Sequence, residues 1–299
     1  MRLGCVGIGS NAIRLLTAQW ADGRLCGIKR ERRGTRLFAG LVEGRLTEES
    51  MNASAAAVGE LSELARREGA AEVYVFATSA VRDAVNGEDF KRRCEAQAGV
   101  PVEIISGQQE AVLSYLGACE GGRCGVIDIG GGSTEFTFGE GDDILGAVSL
   151  QMGAVRMTRQ LPIFSEADYE KTVAHCCGII EEGAGSLLDA SPRDTWVGVG
   201  GTMTMLGAMQ KHIPLFVPET CEGMGISRED VAGWGRRLSA MTLDERLEVV
   251  GLMPRRIDIM PAGIAILEAA MRSFGVETLH LSAQGNMDGF LKKKFQKRY

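Results

Sequence analysis

The chain reads as an α/β protein built from two related halves, and three observations lead there. Strand-type and helix-type hydrophobic patterns alternate along its whole length. A short apolar strand running into a glycine turn occurs twice, as Val6-Gly7-Ile8-Gly9-Ser10-Asn11 and as Ile127-Asp128-Ile129-Gly130-Gly131-Gly132. With 299 residues, 45% of them hydrophobic, the chain is long and apolar enough for two cores of ordinary size.

The elements follow in order. Strand-like sequence surrounds the first glycine turn, and residues 49–68 place Met51, Ala55, Val58, Leu61 and Ala65 on one helical face. A strand is predicted over 71–77, a helix over 88–98, a strand over 102–105 and a helix over 108–119. Glycine and charge interrupt the pattern at Glu120-Gly121-Gly122-Arg123, which sets the domains at 1–122 and 123–299. Strands over 125–129, 133–138 and 144–150 open the second half, followed by a helix over 166–183. Residues 196–199 form a strand that runs into Gly200-Gly201-Thr202 and a helix. Ser227 and Asp230 have the spacing of a capping box. A long apolar helix over 258–273, a strand over 279–281 and a basic helix over 286–297 complete the chain. The terminal helix is assigned to the second domain and read as exposed, a face on which two chains could pair as a homodimer.

Composition narrows the function. No run of 18 apolar residues occurs, so no membrane span or membrane partner is expected. The N-terminus enters a strand at once, without a signal-peptide layout. The cysteines at 5, 26, 94, 119, 124, 176, 177 and 221 match no zinc spacing and read as reduced thiols of a cytoplasmic protein. A net charge of −6 argues against nucleic acid as a partner and requires any polyanion to be held by local charge.

Three glycine turns, at 9–11, 130–133 and 200–202, lie at the ends of predicted strands, where α/β folds place ligands. Glycine lets the backbone approach a ligand closely, and successive N–H groups in such a turn suit phosphate oxygens. Asp128 and Glu135 flank the second turn and are candidate ligands for Mg²⁺ or another divalent cation, which takes carboxylate and phosphate oxygens. His175, His212 and His280 have no ligand spacing, and Met203, Met205 and Met209 fit helix packing.

With these motifs in place, the chain resembles the exopolyphosphatase / guanosine pentaphosphate phosphohydrolase family, Ppx/GppA, of the actin-like ATPase superfamily. The resemblance rests on Gly9-Ser10-Asn11-Ala12-Ile13-Arg14-Leu15, the stretch Ala77-Thr78-Ser79-Ala80-Val81-Arg82-Asp83-Ala84, and Ile105-Ser106-Gly107-Gln108-Gln109-Glu110-Ala111. It continues through residues 128–135, Gly153-Ala154-Val155-Arg156, Gly198-Val199-Gly200-Gly201-Thr202 and Pro261-Ala262-Gly263. It implies two ribonuclease H-like (actin-like) domains with an interdomain cleft, in the short two-domain form. It also implies Mg²⁺-assisted release of terminal phosphate from polyphosphate or a phosphorylated guanosine nucleotide such as guanosine pentaphosphate, with shorter polyphosphate chains preferred.

Roles carry over position by position. Glu110 matches the general base, and Arg82 matches the arginine that offsets charge on the transferred phosphoryl group. Ser10, Asn11, Gly130, Gly131, Gly132 and Ser133 would contact phosphate oxygens. Gly200, Gly201 and Thr202 match the adenosine-side turn and would shape the cleft or contact more distant phosphates. Several positions depart from the pattern. Gly7 replaces an aspartate, Gln109 a glutamate and Val112 an arginine, and Ser282-Ala283-Gln284-Gly285 stands where Ser-Asp-Arg-Gly is usual. Those losses keep a non-catalytic polyphosphate or nucleotide sensor as the alternative. An ATP-dependent kinase of the superfamily is a further one, though no motif supplies its aspartate base.

Overall fold

Each of the two glycine turns caps a sheet of the same design. The protein is described by a computed structural model covering residues 1–189, 195–214 and 217–298. The chain forms two units. One comprises Met1–Gly117 together with the segment beginning at Asn286, and the other comprises Ala118–Gly285.

The first unit contains β1 (Arg2–Ile8), β2 (Ile13–Ala21), β3 (Arg24–Arg33), a small hairpin of β4 (Leu41–Val42) and β5 (Arg45–Leu46), and α1 (Glu48–Arg67). β6 (Ala70–Ala77), α2 (Ser79–Arg82), α3 (Gly87–Ala98), β7 (Val102–Ile104) and α4 (Gly107–Ala118) follow. The sheet order is β3-β2-β1-β6-β7. β1, β2 and β3 pair antiparallel, while β6 and β7 join β1 in parallel.

The second unit runs β8 (Arg123–Ile129), β9 (Thr134–Glu140), β10 (Asp143–Leu150), α5 (Ala154–Gln160), α6 (Glu166–Leu188) and β11 (Trp196–Val199). It continues with α7 (Gly201–Gln210), β12 (Gly225–Ser227), α8 (Arg228–Ser239), α9 (Leu243–Leu247), α10 (Met260–Ser273) and β13 (Thr278–Leu281). Its order, β10-β9-β8-β11-β13-β12, repeats the first sheet and adds one antiparallel edge strand. This is the doubled ribonuclease H-like, actin-like architecture. Ser227 and Asp230 form the expected capping box at the start of α8.

Strand alternation assigns the faces. In the first sheet Leu3, Cys5, Leu16 and Phe76 share one apolar cluster, while α1 packs so closely on β1 that a side chain at Gly4 would lie 2.9 Å from Ala65 Cβ. In the second, Ile127, Ile129 and Phe136 join a core with Tyr169, Val173 and Ile180 of α6 and Ile264 and Leu267 of α10.

The structure corrects the sequence reading in two places. The terminal helix, α11 (Asn286–Gln296), belongs to the first unit and is not an exposed pairing face. Met287, Phe290, Leu291 and Phe295 are buried on the sheet, with Phe290 stacked on Phe76 at 5.1 Å between ring centroids. Sequence order assigned the helix to its neighbour, but the first sheet has the bare apolar face that it covers. The second correction concerns the cysteines. Gly121 and Gly122 adopt φ of +75° and +68°, turning the chain back so that Cys119 and Cys124 lie 6.5 Å apart at Cα and form a disulfide. Among the described residues the other six are free thiols. Burial pushes Cys94 and Cys176 up to about 12. No helix among the described residues is long and apolar enough to cross a membrane.

Candidate active site

In the first unit the four predicted site residues lie on three neighbouring segments: Ser10 and Asn11 on the turn after β1, Arg82 at the end of α2, and Glu110 at the start of α4. The turn after β1 is closed by Gly9 N–H donating to Ala12 O at 3.1 Å. Carbonyls of Ser10 and Asn11 accept from the amides of Phe38 and Arg36, so the turn is anchored through its oxygens. Ser10 is buried, and its hydroxyl lies 3.0 Å from that of Ser79, the first residue of α2. β6 delivers that helix to the turn, since Thr78 N–H donates to Ile8 O at 3.1 Å. Thr78 and Ser79 carry no assignment from sequence, although they follow a strand in a small-residue run, the signal that marks such turns.

Arg82 closes α2. Its Nη1 donates to Ile105 O at 3.0 Å and lies 3.4 Å from Glu110 Oε2, while Asp83 is a looser neighbour at 3.9 Å. Its Nη2 is buried with no hydrogen-bond partner among the described residues. A buried donor left unmet costs about 1–3 kcal/mol, more when charged, which an acceptor oxygen would recover.

Glu110 sits in the first turn of α4 and is 7% exposed, an uncommon position for a glutamate. Its carboxylate also lies 3.5 Å from Asn286 Nδ2. The helix that carries it starts with a capping box: Gln109 N–H donates to Ser106 Oγ at 3.1 Å, and Ser106 N–H donates to Gln109 Oε1 at 2.7 Å. Glutamine does this as well as glutamate, which accounts for Gln109 at a position where the resemblance expects an acid.

The second unit repeats the turn. Gly130 N–H donates to Ser133 O at 3.0 Å. The carbonyls are again occupied, Gly130 O by Ala154 N–H and Gly131 O by Val155 and Arg156 N–H, with Arg156 Nε donating to Gly132 O at 2.6 Å. Gly153 permits this docking, because a Cβ there would lie 2.4 Å from Gly131 C. Among the described residues the amides of Gly131, Gly132 and Ser133 donate to no backbone carbonyl. Oxygens tied back and amides left over are what a phosphate cradle requires.

Asp128 and Glu135 are direct partners in the β8–β9 register, so both carboxylates rise from one face of the sheet. They are 7% and 1% exposed, and Ser149 Oγ donates to Glu135 Oε1 at 2.7 Å. The third glycine turn stands beside them: Gly200 has φ of +105°, and a Cβ there would lie 2.6 Å from Ile129 O and 3.1 Å from Asp128 Oδ1. Thr202 is buried against α10, where a Cβ at Gly263 would lie 2.5 Å from its hydroxyl. Among the described residues no group of three or more His, Cys, Asp or Glu could hold a metal ion. Two opposed, buried hard-oxygen donors with hydrogen-bonded support do fit Mg²⁺, which takes one or two carboxylates and completes its shell with phosphate and water.

Two sheets of one topology, each ending in a glycine turn, with a carboxylate pair beside the second turn and a buried arginine and glutamate behind the first, define a protein of the actin-like class. A model of the Ppx/GppA phosphatase family matches residues 16–298, and the chain belongs to that family. Exopolyphosphatase 2 of Mycobacterium tuberculosis is 31% identical over 310 residues, spanning 96% of this chain and 97% of that protein. The guanosine-5'-triphosphate,3'-diphosphate pyrophosphatase of Aeromonas hydrophila is 30% identical, across 96% of this chain and 58% of that protein. The solved Aquifex aeolicus Ppx/GppA enzyme has a TM-score of 0.83 at 29% identity, covering 98% of this chain and 99% of that one.

Proposed function

We propose that the protein releases the terminal phosphate of inorganic polyphosphate, and of guanosine pentaphosphate as a second substrate, by attack of water that Glu110 deprotonates. The observation that carries this reading is Glu110 itself, a buried carboxylate on a capped helix beside an arginine whose Nη2 has no hydrogen-bond partner among the described residues. Relatives support the substrate class. The one named an exopolyphosphatase is matched along 97% of its length, whereas the one named a guanosine-5'-triphosphate,3'-diphosphate pyrophosphatase is matched along 58%.

In the reaction, the oxygen of water forms a bond to the terminal phosphorus while Glu110 accepts one of its protons. The bridging P–O bond breaks, and its electron pair leaves on the shortened chain. Arg82 Nη2 donates to a non-bridging oxygen, offsetting charge where it builds. Ser10, Asn11 and the amides at 130–133 bind phosphate oxygens, and the Gly200–Thr202 backbone shapes the ligand's surroundings. Asp128 and Glu135 would hold Mg²⁺, which would supply neutralisation of phosphate charge. The test is phosphate release from short polyphosphate and from guanosine pentaphosphate with Mg²⁺, by the protein and by Glu110→Gln. A loss of about 10²–10⁴-fold in the variant is expected. Release that the substitution leaves intact would remove Glu110 as the base, and no release from either substrate would remove the hydrolase reading.

A further inference from the structure

Asn286 is the first residue of α11, where the chain re-enters the first unit, and it is 4% exposed. Its side-chain amide is held at both ends. Arg14 Nη2 donates to Oδ1 at 3.3 Å, and Nδ2 points at Glu110 Oε1 at 3.5 Å. Glu110 Oε2 meanwhile faces Arg82 Nη1. The two carboxylate oxygens therefore have different neighbours, one a guanidinium and the other a neutral amide whose orientation a second guanidinium fixes. Both contacts are long, as catalytic hydrogen bonds commonly are before substrate binds.

We infer that Asn286 is a positioning residue for the general base. It sets the rotation of the Glu110 carboxylate about its terminal bond, so that a lone pair faces the attacking water. Only a group that accepts from Arg14 and donates to Glu110 completes this chain, which an amide does and a carboxylate or an alkyl group does not. The inference rests on Glu110 acting as the base.

Three variants test it by steady-state kinetics on short polyphosphate with Mg²⁺. Asn286→Leu is near-isosteric and cannot hydrogen bond. Asn286→Asp keeps the shape and the Arg14 contact but turns an acceptor toward Glu110. Asn286→Gln restores the amide on a longer stem. Leu and Asp are expected to lower kcat about tenfold to a hundredfold with KM little changed, and Gln to recover part of the loss. Thermal melts check folding, and Asp and Gln carry the test should Leu not fold. The inference is overturned if all three retain the kcat of the parent, if the loss falls on KM, or if Gln is as poor as Leu. Glu110→Gln runs alongside. If it stays active, the base assignment fails and this inference with it. If it is inert while the Asn286 variants keep their kcat, only the inference fails.

Discussion

The two glycine turns share a backbone and differ in what stands two residues before them. In both, the amide of the opening glycine donates to the carbonyl of the fourth residue, and carbonyls within the turn (Ser10 and Asn11 in the first, Gly130, Gly131 and Gly132 in the second) accept from a following segment. In the second unit the adjacent cross-strand pair is Asp128 opposite Glu135; in the first it is Gly7 opposite Arg14. A carboxylate pair has become a glycine and a guanidinium, and Met287 of α11 fills the space over Gly7. The lesson is that the hydrogen-bonding frame of such a turn is independent of the charge beside it. On the proposed reading, cation holding falls to the second turn alone, while the first unit supplies the base and the arginine.

Moving charge from one turn to the other separates their roles. Asp128→Asn should have the largest effect, raising the Mg²⁺ concentration for half-maximal rate by at least about tenfold, and chelation of divalent cations should stop phosphate release altogether. A Mg²⁺ titration of the rate that is unchanged by Asp128→Asn would end the assignment. Gly153→Ala attacks the frame, since the new Cβ would lie 2.4 Å from backbone that cannot yield. We expect it to cost about 3 kcal/mol in urea unfolding and to weaken substrate binding. Gly7→Asp restores an acid to the first turn opposite Arg14, at 3.2 Å from the flexible Met287 Sδ. It should cost about 1–3 kcal/mol and leave the Mg²⁺ requirement unchanged. A lowered requirement would show that the first turn can still hold a cation. Smallest is Ser106→Ala, which removes one half of the cap behind Glu110 and should cost about 0.5–2 kcal/mol by thermal melt.

Much of this was legible in the residues. The repeated strand and glycine turn announced two sheets of one topology, and Met51, Val58 and Leu61 marked the buried face of α1. Asp128 and Glu135 could be paired because six residues separate them across a tight turn, and period-two alternation then puts them on one face. Other features depend on tertiary packing that a local pattern does not encode. The resemblance picks out Glu110, but its burial and its contacts with α2 and α11 are not visible in the helical pattern. Asn286 has no periodicity to betray it, and the partner sheet of α11 is chosen by an apolar face far away in sequence. The Cys119–Cys124 disulfide was missed because the boundary turn was read for its glycines and not for the reversal that brings its ends together.

The most direct test of the account is phosphate release in ¹⁸O-labelled water, with mass analysis of both products. Attack of water on the terminal phosphorus places one ¹⁸O in each released orthophosphate and none in the shortened chain, and Glu110→Gln should release almost no labelled phosphate. Label in the shortened chain, or transfer of the terminal phosphate to an acceptor other than water, would contradict it.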